Sequence, residues 1–543
     1  MKILKRYSII FLLFLSLLAS AQPKYEVRAV WLTTIGGIDW PSSYAHNGMG
    51  IERQKQQLIR MLDQLKAANV NTVLLQTRIR ATTLYPSDIE PWDGCLSGKP
   101  GVSPGYDALQ FAIDECHKRG IELHAWVVTI PVGKWNGYGC QKLRRRYPSL
   151  IRKIGDEGYM NPESSQTAEY IANICSEITR RYDIDGIHLD YIRYPETWRG
   201  SKQRENITRI VRTIYQKAKV LKPWIKLSCS PIGKYDDLSR YSSRGWNANR
   251  QVAQDAQGWL RSGLMDQLYP MMYFRGNNFY PFAIDWQENN YGRTVVSGLG
   301  IYMLHPLEGN WPVNEVKRQF NVTRSIGMGH CYFRAKFLLD NVKGIYNIAK
   351  DFDRHPALIP PMKWEQSRAP LPPTTLTVKR TGGGDQISWS GARDLSNGPY
   401  LLYNIYASTE LPIDITNPAN LVATRTTSCN VTMKRPGNKR PLYYAVTALD
   451  RYGNESPAVM QQTAGQNNAV ASYLLPNDGK KLTLDYSVDA ELLVVRTLQG
   501  TVVKNFINSK QINIAGLPEG FYELKSLNRK GISHRLGFFV IRR

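Results

Sequence analysis

The chain has 543 residues, 42% apolar, 21% charged and 11% aromatic, and its 70 Lys and Arg against 45 Asp and Glu give a formal charge of +25. This composition excludes a disordered tail, a collagen-like repeat and a many-pass membrane protein. At roughly 100–200 residues per domain the length predicts two to four domains. The basic excess by itself suits nucleic acid, an acidic surface polymer or plain solubility.

Residues 1–21 read as a secretory signal. Lys2, Lys5 and Arg6 form the charged start, Ile9 to Leu18 the apolar core, and Ala19-Ser20-Ala21 the cleavage site. No later run approaches the ~18 apolar residues that a membrane span needs. No Cys follows the apolar core, so a lipoprotein anchor is not expected. The mature chain is expected to be exported and not membrane-spanning, in the periplasm, on the cell surface or outside the cell.

From Val27 to Asp351 short apolar runs alternate with amphipathic stretches. Strands are expected over Val27–Thr34, Val70–Arg78, Ile121–Val128, Asp185–Asp190, Ile225–Ser230, Met265–Tyr273, Thr294–Gly300 and Gly329–Arg334. Helices are expected over Glu52–Ala68, Asp107–Arg119, Thr167–Tyr182, Gln203–Leu221, Asn247–Arg261, Pro281–Asn290, Val313–Ile326 and Asn341–Phe352. The helical assignments rest on apolar spacings of three and four, as in Leu58, Met61, Leu62 and Leu65. Strand–helix alternation of this kind predicts an α/β fold, a (β/α)8 TIM barrel over residues 22–356. The alternative, a doubly wound open sheet, would carry a Gly-rich phosphate loop, and Thr33-Thr34-Ile35-Gly36-Gly37 matches one poorly.

Prolines across Ala357–Pro373 predict a stiff linker. Beyond it the helical period disappears, and two small all-β sandwich modules are expected, over residues 374–465 and 466–543. Trp389 and Tyr443-Tyr444-Ala445-Val446-Thr447-Ala448-Leu449-Asp450 resemble a fibronectin type III module, usually a spacer or binding unit. Gly516-Leu517-Pro518-Glu519-Gly520-Phe521-Tyr522 resembles small C-terminal modules of secreted Bacteroidetes proteins, some of which are sorting signals.

Several classes of chemistry find no support. The basic run Lys142–Arg146 reads as a solvated helix face, without the motifs of a nucleic-acid binder, so no nucleic-acid partner is expected. The eight His and seven Cys show no ligand spacing, and no metal or other cofactor is expected. Cys95 and Cys140 fall in loops, where one disulfide can form in an oxidising compartment.

In a barrel of this kind reactive groups gather at the C-terminal strand ends. Those ends collect Trp31, Arg78, Arg80, His124, Trp126, Asp190, Tyr191, Arg193, Ser230, Tyr273, Tyr302 and Arg334. Carboxylates, cations and flat rings at one mouth suit a sugar polymer. Asp190 stands out because it ends an otherwise apolar strand, where an unpaired charge is costly. Arg193 is expected to pair with it and keep it ionised, while Asp185, at the strand's entry, is expected to be structural. Asp183 to Pro195 looks like the chitinase-type strand, but His188 replaces its middle aspartate and Ile192 stands where its catalytic acid would be. The chain is therefore not a chitinase of that design.

A fuller match runs through Val27-Arg28-Ala29-Val30-Trp31, Tyr85-Pro86-Ser87, Glu90-Pro91-Trp92, Pro104-Gly105-Tyr106-Asp107, His117 to Trp126, Asn161-Pro162, Asp185 to Pro195 and Tyr269-Pro270-Met271-Met272-Tyr273. In these motifs and their order, residues 24–351 resemble the glycosyl hydrolase-like 10 family. The resemblance implies a TIM barrel, export to the bacterial envelope and hydrolysis of glycans, in some members peptidoglycan strands stripped of their peptides. The family commonly has an acidic residue two places after the Trp of the Pro-Trp motif; here Gly94 occupies that place and Asp93 precedes it.

Glycoside hydrolysis normally uses two carboxyl groups. The expected pair is Asp190, as nucleophile or base, with Asp93 as acid. Glu90, Asp39, Glu196, Asp285 and Glu288 are reserves. Trp31, Arg78, Trp92, His124, Trp126, Tyr191, Arg193 and Tyr273 are expected to bind substrate, a polysaccharide or peptidoglycan glycan. The rival expectation is a catalytically silent glycan-binding protein.

Overall fold

The computed structural model of the chain describes residues 22–239, 241, 244–434, 442–461, 475, 477–483, 492–497, 500–507, 511–527 and 533–541. The signal expected over residues 1–21 lies outside them. The chain divides after Ser367 into two compact units. Among the described residues no helix is long and apolar enough to cross a membrane.

The first unit is a closed barrel of eight parallel strands. They are β1 (Arg28–Leu32), β2 (Thr72–Arg78), β3 (Glu122–Val128), β4 (Gly186–Asp190), β5 (Lys226–Cys229), β6 (Gln267–Leu268), β7 (Thr294–Leu299) and β8 (Gly329–Tyr332), with β8 closing onto β1. A helix follows each strand: α1 (Gly48–Ala67), α2 (Ala108–Lys118), α3 (Ser165–Arg181), α4 (Gln203–Lys217), α5 (Ala256–Arg261), α6 (Tyr280–Glu288), α7 (Val313–Ser325) and α8 (Ile345–Phe352). The TIM barrel expected from the alternation is thus the observed fold. Its helices form where the apolar spacing placed them; α1 buries Leu58, Met61, Leu62 and Leu65 and is capped by Asn47, whose side chain accepts from the Gly50 N–H.

Three departures have local causes. The helix expected over Asn247–Arg261 is two pieces, Ala248–Gln251 and α5, separated where Ala253 adopts φ +62°. β6 is only two residues long, because Pro270 has no N–H to give to the ladder. The loop after β3 contains a small antiparallel sheet, Pro131–Lys134, Ile151–Ile154 and Glu157–Met160, which was not expected.

The linker expected over residues 357–373 also needs correction. Its first part belongs to the barrel. Leu358 pairs with Tyr25, Ala357, Leu358, Ile359 and Met362 are buried, and the Trp364 indole donates to Asp266 at 2.9 Å. All seven cysteines are free thiols, so the disulfide considered for Cys95 and Cys140 is not formed.

The second unit is antiparallel throughout. Leu376–Thr381, Gly384–Trp389 and Asn430–Met433 make a three-stranded sheet, and Leu402–Ser408, Leu421–Thr426, Tyr443–Leu449 and Val459–Met460 a four-stranded one. They share a core of Ile387, Trp389, Tyr403, Ile405, Tyr444 and Val446. Further on, a two-stranded and a four-stranded sheet surround Leu482, Leu493, Val495, Leu524 and Phe539.

The N-terminal end of the barrel is closed by a buried ion network. Arg28 donates to Glu26 at 2.8 Å and lies 3.2 Å from Asp353; Arg324 reaches Glu26 at 2.6 Å and Asp353 at 2.5 Å; His330 lies 2.9 Å from Asp353. Glu26, His330 and Asp353 bring their ligand atoms within 4.8 Å of one another. Two guanidinium charges already occupy those carboxylates and oppose any added cation. Burial pushes the Asp353 carboxyl up, but His330, Arg28 and Arg324 together hold it below its ordinary 3.8. A depressed carboxyl stabilises the fold above its unfolded value and loses that contribution as pH falls through the folded one. Asp353→Asn is therefore expected to cost about 3–5 kcal/mol in urea unfolding at pH 7, with the difference from the unsubstituted chain narrowing below pH about 4. A loss that stays constant down to pH 2 would contradict this.

Candidate active site

Parallel strands point all eight C-terminal ends to one mouth, and Asp190 is the last residue of β4. Barrel closure sets β3 on one side of it and β5 on the other. From β3 the Trp126 indole donates to Asp190 Oδ2 at 3.1 Å; from the residue after β5 the Ser230 hydroxyl donates to Oδ1 at 2.8 Å. The third donor is the Tyr191 N–H, 2.8 Å from Oδ1. Tyr191 adopts φ +50°, a strained conformation for a residue with a side chain. The turn folds its N–H back onto the carboxylate and leaves its ring 43% exposed at the rim.

These donors and the nearby Arg193 charge favour the ionised form, but burial outweighs them and Asp190 is raised above its ordinary 3.8. Arg193 acts in the expected direction, favouring the ionised form, and burial opposes it. Oδ1 accepts two hydrogen bonds and Oδ2 one.

Beneath Asp190 the barrel interior is packed and polar. Gly186 makes room for the His124 ring, which an added Cβ would meet at 2.7 Å. His188 lies one step below Asp190. Burial, then the neighbouring His124, hold it well below its ordinary 6.5. As a neutral ring it accepts from the Trp31 indole at Nε2 (3.2 Å), which leaves the Nδ1 proton to face Ser228 Oγ at 3.0 Å. At the N-terminal end of this column Glu122 bridges His124 Nε2 (3.1 Å) and Lys226 (2.8 Å).

The rim is aromatic. Arg193 lies with its guanidinium carbon 4.1 Å from the Tyr191 ring centre and 5.8 Å from that of Trp246, which is 45% exposed. Glu196 stands 3.8 Å from Arg193 Nη2. Tyr273 stacks on Phe333 at 5.2 Å and meets Tyr302 edge-on. Its hydroxyl is buried and has no hydrogen-bond partner among the described residues. Asp39 is paired with Arg334 and accepts from the Thr33 and Lys336 N–H groups.

Of the residues expected to bind substrate, Tyr191, Arg193 and Tyr273 gather around Asp190, and Trp126 holds its carboxylate. Three others, Arg78, His124 and Trp31, need correction. Arg78 is wholly buried and spends its guanidinium on Glu90 (2.7 and 2.8 Å) and on the Val128 and Thr129 carbonyls, which also commits the reserve Glu90. His124 and Trp31 fill the barrel interior and present no surface to a ligand. Trp92 is half-buried against the outer core, paired with Thr83. Asp93 caps the turn Gly94–Ser97, accepting from the Cys95 N–H at 2.8 Å and the Thr82 hydroxyl at 2.6 Å. It lines a cavity of about 360 Å3 with Arg80, Lys134 and Tyr138, and no residue that touches Asp190 borders that cavity. Trp246 was missed; its only signal in the sequence is an aromatic in a Gly- and Asn-containing loop.

The chain is similar to several known proteins. The family described as Glycosyl hydrolase-like 10 matches residues 26–205 and 196–303. Glycosyl hydrolase YngK of Bacillus subtilis is 28% identical over 501 residues, covering 83% of this chain and 96% of the relative. Glycosyl hydrolase DigH of Escherichia coli K12 is 30% identical over 377 residues, covering 59% of this chain and 84% of the relative. Among solved structures, the PgaB (BpsB) glycoside hydrolase domain from Bordetella bronchiseptica matches 60% of this chain and 98% of its own, at 12% identity and a TM-score of 0.41.

Ser230 is the largest hydrogen-bonding contribution that lowers the Asp190 pKa. Ser230→Ala is expected to move the Asp190 titration, followed by its 13C carboxyl shift, to higher pH. A titration left in place or moved down would refute the clamp described above.

Proposed function

The chain belongs to the glycosyl hydrolase-like 10 family, and from that premise we propose an exported glycosidase that cleaves O-glycosidic bonds in a bacterial envelope polysaccharide, peptidoglycan glycan strands foremost. The observation that carries this reading is Asp190, a buried carboxyl with a raised pKa at the mouth of the barrel, its Oδ2 held by a single donor. A buried carboxyl whose pKa is raised is better suited than an ordinary one to donate a proton to a glycosidic oxygen.

In this scheme Oδ2 of Asp190 gives its proton to the leaving oxygen as the bond to the anomeric carbon breaks. A second carboxylate either takes a proton from the attacking water or attacks the anomeric carbon itself. Glu196 fits that role better than Asp93. It shares Arg193 and Tyr191 with Asp190, whereas Asp93 has both oxygens committed to a cap. The exposed Tyr191 and Trp246 rings offer stacking surfaces to sugar faces. The signal-like residues 1–21 support export, and the fibronectin type III-like and C-terminal β-modules are assigned as spacer and sorting or tethering units.

A silent glycan-binding protein is the second reading, favoured by the capping role of Asp93 and by Ile192, which is fully buried where a chitinase has its acid. Release of reducing ends from peptide-free glycan strands, set beside retention on the same strands, separates the two. Asp190→Asn is expected to lower turnover roughly a hundred- to ten-thousand-fold while strand retention persists. Glu196→Gln should do likewise, and Asp93→Asn, which keeps the cap, should stay within about tenfold of the unsubstituted chain. Because Asp190 must be protonated, turnover should fall as pH rises through its raised pKa. Full activity in Asp190→Asn would sink the assignment.

A further inference from the structure

Lys234 lies in the loop that follows β5 and is only 6% exposed. Its Nζ donates to Asn278 Oδ1 at 2.7 Å and to the Arg244 carbonyl at 3.3 Å. It also stands 4.9 Å from the centre of the Phe282 ring and 5.5 Å from that of Phe274. Both oxygens belong to neutral groups. Burial, opposed by the Asp237 charge, holds the ammonium below its ordinary 10.5. A buried cation fastened to neutral oxygens and rings is costly. A methionine would fill the space between the two rings without that cost, but it has no N–H to give. The two hydrogen bonds are therefore what a lysine contributes at this position.

The partners belong to different loops of the mouth. Arg244 directly precedes Gly245 and Trp246, and Gly245 turns the chain with φ +134°. A Cβ added to Gly245 would lie 3.6 Å from Lys234 Nζ, so the ammonium sits beneath that turn. Asn278 ends the turn Gly276–Asn278 in the loop after β6, Phe274 directly follows Tyr273, and Phe282 is on α6. Lys234 thus joins the loop that carries Trp246 to the neighbouring loop that carries Tyr273. Other bonds at the tip stay within its own loop: the Gly245 N–H reaches Asp237 at 3.1 Å, and Asn247 caps Ala248–Gln251. Trp246 itself is 45% exposed, with its ring centre 5.8 Å from the Arg193 guanidinium carbon. An exposed ring on an untethered tip samples several orientations and loses that freedom each time a ligand binds. A tethered ring presents its face in advance.

We propose that Lys234 is a positioning residue, which holds Trp246 as a sugar-stacking platform by fastening the loop after β5 to the loop after β6. This rests on the reading of Trp246 as a stacking surface for the glycan and deepens it. Lys234 touches no substrate in this arrangement and acts through Trp246.

The test uses the full-length chain labelled with 5-fluorotryptophan, in which the Trp246 19F resonance is identified by its loss in Trp246→Phe. Lys234→Met is expected to displace or broaden that resonance. For reducing-end release from peptide-free peptidoglycan strands it should raise KM roughly 3- to 10-fold and leave kcat within about twofold. Trp246→Ala should raise KM by a similar factor, and the double variant should be no worse than Trp246→Ala alone, because both changes remove one platform. An unmoved Trp246 resonance, or losses that multiply in the double variant, overturn the proposal. If Lys234→Met fails to fold, Asn278→Leu decides: it removes the nearest partner, keeps the lysine and should displace the same resonance. If the unsubstituted chain does not cut, the hydrolytic reading falls, and the Trp246 resonance still decides the role of Lys234.

Discussion

Asp190 is held in place by three donors that come from three different elements, Trp126 on β3, Ser230 beyond β5 and the Tyr191 amide that follows β4. Trp126 and Ser230 are not near Asp190 until the barrel closes, and without these three donors a carboxyl at this depth would lack the hydrogen-bond partners it has. Hydrogen bonds to a charged group contribute about 1.5–3 kcal/mol each. Full desolvation of an isolated carboxylate costs several times more. The raised pKa of Asp190 is the outcome of that competition, with the donors fixing orientation and burial winning on charge. Orientation and a raised pKa are two properties that suit a general acid.

The two ends of the barrel handle buried charge in opposite ways. At the N-terminal end Asp353 is surrounded by Arg28, Arg324 and His330, and it falls below its ordinary value. At the C-terminal end Asp190 rises, and Arg193 Nη1 and the Tyr273 hydroxyl have no hydrogen-bond partner among the described residues. A saturated network resists change and stabilises the fold. An unsaturated one leaves donors and acceptors for water or a ligand to meet. Strain follows the same division, since Tyr191 with φ +50° sits at the unsaturated end.

Much of this was legible in the sequence. Eight alternations predicted the barrel, and the apolar spacing of Leu58, Met61, Leu62 and Leu65 predicted the face that α1 buries. Asp190 stood out as a charge ending an apolar strand. Strand-end position, however, does not distinguish residues that face the mouth from those that point into the barrel or back toward the helices. Arg78, His124 and Trp31 occupy strands beside the site and were expected to touch substrate, yet all three are interior. Asp93 was singled out by its neighbours in the chain, and its role as a cap depends on Thr82 and on the short turn after it. Trp246 carries no periodic signal at all, because it projects from a long loop.

By itself the sequence determined the class of fold, the order of its elements, the residue types at the strand ends and the family, since these rest on periodicity and on motifs read along the chain. The tertiary structure decided which of those residues share a site and in which direction the Asp190 pKa moves. The physical reason is that pKa and hydrogen-bond satisfaction depend on neighbours brought together by closure. Trp126 and Ser230 meet Asp190 from 64 and 40 residues away, and no local pattern records that meeting.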